Sequence, residues 1–95
     1  MPQATRSATF EWVQIGTGIT GRFFVQNRPG PLVTSAVIQA TNGTAAPTSE
    51  DGAAYLRWGV ALEGESLATS FGVPGANTVW VRGLDGQVNI SASWV

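Results

Sequence analysis

The first pattern in the sequence that could support chemistry is a glycine-rich segment, residues 16–21, which reads GTGITG. Its G-x-G-x-x-G spacing is that of dinucleotide-binding turns, in which a helix begins at the last glycine and directs its N-terminus at the pyrophosphate. Residues 22–27 (RFFVQN) are instead typical of a strand, and no acidic residue lies between Glu11 and Glu50 to bind a ribose. We therefore expect a turn between two strands and no nucleotide cofactor.

The acidic side chains are the other candidates for catalysis or metal binding. Carboxylate pairs are possible at three places: Glu50 and Asp51, Glu63 and Glu65, or Glu11 and Asp85. All but Glu11 fall in predicted turns, where carboxylates are ordinarily solvated, and none has the spacing of an EF-hand. The chain contains no His and no Cys, so it lacks the residues of most general-base, thiol and zinc chemistry. We expect no enzyme activity, no cofactor and no metal ion.

The low charge of the chain limits the classes of partner that it can bind. Charged residues make up 12% of the 95 residues, against about 25% in ordinary soluble domains. Five arginines nearly balance six acidic residues and there is no Lys, so the chain lacks the basic footprint that nucleic acids require. No apolar run approaches the roughly 18 residues of a membrane helix, and the N-terminus MPQATRSA lacks the apolar segment of a secretion signal. A neutral surface rich in Thr, Ser and Gly is suited to assembly with other proteins.

The candidate residues lie on or between predicted strands. The clearest strand pattern is between Thr78 and Val95. Two alternating runs flank Asp85-Gly86, a dipeptide typical of hairpin turns. In the second run Val88 and Ile90 alternate with polar residues, a period of two that predicts a strand with one buried face. We expect a β-hairpin at the C-terminus.

Five further strands are predicted between turn residues, over residues 9–15, 20–27, 32–40, 53–62 and 67–71. The segment 53–62 also has helical spacing at Ala54 and Trp58, but Gly52 and Gly59 count against a helix, so we expect a strand. Residues 1–8 have no periodic pattern and are expected to form a flexible N-terminal arm. About seven short strands in residues 9–95 predict one all-β domain, an antiparallel β-sandwich of jelly-roll-like type.

Protein contacts are the function that these features favour. Trp80 and Arg82 are two residues apart on a predicted strand and can form an aromatic and cationic contact patch, or be one core tryptophan and one surface arginine. The polar connection 41–52 is long for a compact domain, and such loops are often functional. The candidate interface residues are Arg6, Thr44, Pro47, Glu50, Asp51, Trp80 and Arg82.

The order of these signals over residues 9–95 resembles small all-β virion proteins of tailed bacteriophages, which decorate or cement heads or are fitted to tails. The resemblance lies in an aromatic strand around Phe10 and Trp12, the strand FVQN at 24–27, and the segment Gly64-Glu65-Ser66. The Pro47–Leu56 connection and the closing segment VWVRG at 79–83 complete it.

This resemblance implies a non-enzymatic capsid decoration protein in the virion, made in the bacterial host cytoplasm. It further implies a homotrimer that binds the major capsid protein or another virion protein. The N-terminal residues 1–8 are shorter and more neutral than the arms of many cement proteins. A tail- or fibre-associated module that recognises the host surface or a glycan is therefore the alternative.

Overall fold

The computed structural model describes residues 2–30, 33–49 and 52–95, which form eight strands and one short helix. The strands are β1 (Gln3–Ala8), β2 (Val13–Gly16), β3 (Phe23–Asn27), β4 (Ala36–Thr41), β5 (Ala54–Leu56), β6 (Ala61–Gly64), β7 (Thr78–Gly83) and β8 (Val88–Trp94). The helix α1 (Leu67–Phe71) lies between β6 and β7.

The strands form two four-stranded antiparallel sheets. Sheet I has the order β1-β8-β3-β6, and sheet II has the order β2-β7-β4-β5. The first strand pairs with the last, the second with the seventh, the third with the sixth and the fourth with the fifth. The chain is thus one long antiparallel ribbon, folded back at the β4–β5 connection and rolled so that β3 meets β8 and β4 meets β7. This is the jelly-roll arrangement, so the predicted all-β sandwich is confirmed, with eight strands instead of about seven.

The core lies between the two sheets. Alternate residues point inward, so Val79 and Val81 of β7 lie in one buried cluster with Val88 and Ile90 of β8. Ile38 of β4 is fully buried in the same cluster. Burying each such side chain stabilises the fold by about 1.5–3 kcal/mol, and this shared core makes the two sheets one unit.

Successive strands run in opposite directions, so the connections alternate between one end of the sandwich and the other. The β1–β2, β3–β4, β5–β6 and β7–β8 connections lie at one end. The β2–β3, β4–β5 and β6–β7 connections lie at the other, with α1. The glycine-rich segment 16–21 belongs to the second group and leads into strand β3 without a helix, as predicted.

The prediction of a flexible arm over residues 1–8 is wrong for Gln3–Ala8, which forms β1. Every residue of β1 pairs with β8, from Gln3 opposite Ser93 to Ala8 opposite Val88. Ala8 is buried and Ala4 packs against the core. Small alternating residues have weak strand propensity, and here the pairing with β8 overrides it.

The prediction of a terminal hairpin is also wrong, although both of its strands form. β7 belongs to sheet II and β8 to sheet I, so residues 84–87 carry the chain across the sandwich. The turn is bound to another part of the chain: Asp85 Oδ1 accepts a hydrogen bond from the Ser35 N–H at 2.8 Å, and Thr34 Oγ1 donates to the Gln87 carbonyl at 2.8 Å. Tertiary hydrogen bonds have replaced the local turn that Asp-Gly favours.

Two other segments differ from their predictions. Residues 53–62 are extended, but they form β5 and β6 in different sheets, with a turn at Gly59, whose φ is +82°. Leu67–Phe71 is a helix and not a strand. Ser66 caps it by accepting from the Thr69 N–H, and Gly72 ends it in the left-handed conformation.

Three other strands begin later than predicted. Strands β2, β3 and β4 start at Val13, Phe23 and Ala36, where the chain has finished crossing between the sheets.

Candidate protein-interaction site

Exposed apolar side chains gather at one end of the sandwich. Among the described residues seven large hydrophobic side chains are exposed, and five of them belong to the β1–β2, β3–β4, β5–β6 and β7–β8 connections. These are Phe10 (62% exposed), Val33 (75%), Trp58 (41%), Val60 (45%) and Leu84 (45%). We call residues 9–12, 28–30, 33–35, 57–60 and 84–87 the apolar end. Clusters of exposed apolar surface on soluble proteins mark sites that bind another molecule.

Hydrogen bonds join the β1–β2, β7–β8 and β3–β4 connections of the apolar end. The Gly83 N–H donates to the Thr9 carbonyl, which joins β7 to the β1–β2 connection. The Leu84 N–H donates to the Ser35 carbonyl at 2.9 Å, which joins the β7–β8 and β3–β4 connections. Phe10, Leu84 and Val33 are therefore presented from connections that support one another.

Asn27 fixes the β3–β4 and β5–β6 connections of the apolar end. Its side chain is 1% exposed, and Nδ2 donates to the carbonyls of Thr34 at 2.9 Å and Leu56 at 3.1 Å. Its backbone N–H donates to the Val60 carbonyl at 3.0 Å, and its carbonyl accepts from the Gly59 N–H at 2.8 Å. One buried residue of sheet I thus fixes the starts of β4 and β6 and the end of β5. A surface held in this way loses little conformational entropy on binding.

The indole of Trp58 is fixed at its edge. Its Nε1 donates to the Gly30 carbonyl at 3.3 Å, and the side chain remains 41% exposed. Fixing an exposed aromatic ring favours its use as an anchor in a contact.

None of these five apolar residues was among the predicted site residues. Phe10, Val33, Trp58 and Val60 lie in runs that read as strands, where apolar side chains are expected to face the core. Leu84 was the available signal, because a leucine directly before Asp85-Gly86 places an apolar side chain in a turn.

Trp80 and Arg82 lie together on the outer face of sheet II. Trp80 is 7% exposed and its Nε1 donates to Thr41 Oγ1 at 2.9 Å, so its indole is a packed part of this face. The Arg82 guanidinium lies 5.7 Å from the ring centre of Trp12, a cation–π distance. Of the predicted pair, Arg82 is the half-buried member and Trp80 the buried one.

The other predicted contact residues that the structure describes lie in other elements. Arg6 is exposed on the edge strand β1, where it pairs with Ile90, and its Nη1 donates to the Thr5 carbonyl at 3.0 Å. Thr44 is exposed and Pro47 half-buried in the β4–β5 connection, at the opposite end from the apolar end. Glu50 and Asp51 lie outside the described residues. The structure therefore does not gather the five described members of this set into one site.

The outer face of sheet I is polar and nearly uncharged. The strand register places ten described side chains on it: Gln3, Thr5, Ser7, Phe24, Gln26, Ala61, Glu63, Asn89, Ser91 and Ser93. Glu63 is the one charged member of this set. The two faces of the sandwich therefore differ, since sheet II has buried Trp80 and Val37 on its outer side.

Three charged residues of the described chain, Arg22, Glu63 and Glu65, lie close together on the surface. Glu65 pairs with Arg22 at 3.6 Å, and both side chains are highly exposed, so this ion pair contributes little stability. Together with Glu63 they line a depression of about 250 Å³, below the roughly 300–1,000 Å³ typical of ligand pockets. Within residues 2–30, 33–49 and 52–95, no group of three or more His, Cys, Asp or Glu could hold a metal ion.

Comparisons with known proteins found no protein-family model, no curated protein and no solved structure that matches the chain. No helix in the described part of the chain is long and apolar enough to cross a membrane.

Proposed function

We propose that this chain is a non-enzymatic structural protein of a bacteriophage particle, which decorates the assembled head and stabilises it. The apolar end is the observation that supports an assembly role. Five exposed large apolar side chains, held on hydrogen-bonded connections, form a surface suited to contact with another chain. The assignment to a virion rests on the resemblance of residues 9–95 to small all-β phage proteins.

The fold and composition are compatible with this proposal. Jelly rolls recur in virus particles, although they also recur in lectins, so the fold alone does not decide the function. The nearly uncharged outer face of sheet I can meet a second protein surface without the cost of burying unpaired charges. The partner in this proposal is the major capsid protein or another virion protein, and the chain acts there as a homotrimer.

The mechanism is linkage between binding and particle stability. A protein that binds the assembled lattice and not its separated subunits stabilises the lattice by about 2.7 kcal/mol at a concentration of 100 times Kd. Each copy that spans neighbouring subunits must be released before those subunits can separate. Heat and osmotic shock then open the decorated head less readily than the bare head.

Heat release of DNA from heads tests this function. Heads of the phage that encodes the chain, prepared without it, are incubated with the purified protein and heated. We expect saturable binding and a higher temperature of DNA release, and an absence of binding or an unchanged release temperature would contradict the proposal. The Phe10→Ser/Leu84→Ser variant should protect less well. Val95→Ser is the matched control, because Val95 is exposed by 52% but lies at the opposite end.

Trp58 favours a second candidate function, a tail- or fibre-associated module that binds a glycan. Its indole is partly exposed and its edge is fixed by the hydrogen bond to Gly30, which suits stacking against a sugar ring. A titration with host-surface polysaccharide, followed by tryptophan fluorescence, tests this function. A saturable change that Trp58→Phe abolishes, combined with no protection of heads, would favour the alternative.

A further inference from the structure

We infer that the apolar end binds a second copy of this chain, with the half that bears acidic residues in one copy placed against the half that bears arginines in the other. The inference rests on the proposed function, in which the apolar end supports an assembly role. It names a second copy of the chain as the partner that covers this end. It leaves the polar outer face of sheet I free to meet other proteins.

The order of the connections across the apolar end follows from the two sheets. β1 and β2 are the edge strands on one side, and β6 and β5 are the edge strands on the other. Crossing the end from the first side, the connections are therefore residues 9–12, then 84–87, then 28–30 with 33–35, then 57–60. Hydrogen bonds from Leu84 to Ser35 and from Trp58 to Gly30 join neighbours in this order.

Charges of opposite sign occupy the two halves of this order. Glu11 and Asp85 belong to the first two connections, and Arg28 and Arg57 belong to the last two. All four side chains are exposed. Within the described residues no ion pair joins Glu11, Arg28 or Arg57 to another group. The nearby Arg82 is turned to the outer face of sheet II, over Trp12.

Apolar side chains are present in both halves. Phe10 and Leu84 lie with the acidic residues, and Val33, Trp58 and Val60 lie with the arginines. Contact between unlike halves of two copies buries apolar groups against apolar groups and brings opposite charges together. Contact between like halves places equal charges opposite each other, which is strongly unfavourable at an interface.

This charge pattern selects another copy of the chain as the occupant. The surface complementary to the apolar end must be apolar, with one basic and one acidic half, and the apolar end itself has that composition. The pairing of unlike halves is satisfied by a twofold dimer and by a closed threefold ring. The measured mass determines which closure the chain uses, and the proposed function leads us to expect the trimer.

Light scattering after size-exclusion chromatography, together with sedimentation, tests the inference on the full chain without particles. The wild-type chain should have a mass that is a multiple of the single chain and should dissociate on dilution. Arg28→Glu/Arg57→Glu makes both halves acidic, and we expect the dissociation constant to rise on the order of 100-fold or more, because like charges then face each other. Neither arginine side chain makes a hydrogen bond within the described residues.

A complementary charge exchange makes the test independent of folding defects. Glu11→Arg/Asp85→Asn makes the first half basic, while asparagine keeps the oxygen that accepts from the Ser35 N–H, and this variant should also dissociate. The chain that combines all four substitutions again has unlike halves and should recover the oligomer. Arg22→Glu/Glu65→Arg, which exchanges an exposed ion pair at the other end, should leave the mass unchanged.

Three results would overturn the inference. The first is a wild-type chain that stays monomeric at every concentration tested. The second is an oligomer that persists in the folded Arg28→Glu/Arg57→Glu variant, and the third is a folded four-substitution chain that stays monomeric. A monomeric wild-type chain that still protects heads from heat would contradict the inference and leave the proposed function standing. An oligomer that fails to protect heads would contradict the proposed function and leave the inference standing.

Discussion

The side-chain amide of Asn27 donates a hydrogen bond across the sandwich to the carbonyl of Leu56 at 3.1 Å. Asn27 lies on β3 of sheet I and Leu56 on β5 of sheet II. The same Nδ2 donates to the Thr34 carbonyl at 2.9 Å, just before β4. Asn27 is 1% exposed, so its buried amide holds in place the two connections that carry the arginines of the apolar end.

We expect Asn27→Ala to destabilise the chain by about 2–4 kcal/mol, because two buried carbonyls lose their shared donor. Asn27→Asp should be at least as harmful, since it places a carboxylate where two donors stood. Urea unfolding measures both changes. Gln26→Ala is the control, because Gln26 is half-buried and makes one long bond of 3.4 Å to the Gly59 carbonyl, and a loss equal to that of Asn27→Ala would contradict the prediction.

Gly16 and Trp94 close the opposite end of the sandwich. A Cβ on Gly16 would lie less than 3.0 Å from three ring atoms of Trp94, so the indole packs directly on the glycine backbone. We expect Gly16→Ala to cost about 1–3 kcal/mol through overpacking. Thermal unfolding of Gly16→Ala, Trp94→Leu and the double variant measures the coupling.

The double variant should lose less stability than the sum of the two single variants, because leucine vacates the space that the new methyl group needs. Gly30→Ala is the matched control. Among the described residues, a Cβ there would meet Asn89 Nδ2 alone, at 3.6 Å. Additive losses in the double variant would show that Trp94 does not set the requirement for glycine.

The fold class was predictable because it depends on local periodicity. Val88, Ile90 and Ala92 alternate with polar residues, and all three are buried in β8 as the period of two predicts. The partners of each strand were not predictable in this way. Asp85-Gly86 favours a hairpin locally, yet the shared core places β7 and β8 in different sheets, and only β4 and β5 pair with a sequence neighbour among the described strands.

The exposed surface was harder to predict than the core. Phe10 and Trp58 read as core residues because aromatic side chains in strand-like runs are usually buried, but both lie where the chain crosses between sheets. Trp80 was predicted to be either part of a contact patch or a core residue. It is buried, but on the outer face of sheet II, opposite the core-facing valines of β7.

The helix α1 depends on its caps because it has only five residues. The Thr69 N–H donates to Ser66 Oγ at 3.2 Å, and Leu67 and Phe71 point into the core one turn apart. We expect Ser66→Ala to cost about 1 kcal/mol, the usual value of a lost N-cap. Urea unfolding measures the change, and Ser66→Asp should retain most of the stability because its carboxylate also accepts from the Thr69 N–H. Equal losses in both variants would contradict a capping role.

The four tryptophans should differ in their access to a soluble quencher. Trp58 is 41% exposed, whereas Trp80 is 7% exposed and its Nε1 donates to Thr41. We expect Trp58→Phe to remove most of the acrylamide-quenchable fluorescence and Trp80→Phe to remove blue-shifted emission that resists quenching. Measurement on diluted protein reports the free chain, and measurement at high concentration reports the associated one. Because Trp58 lies in the arginine-bearing half of the apolar end, its quenching should fall as copies associate. Quenching of Trp58 that is the same at all concentrations would place the contact between copies elsewhere on the chain.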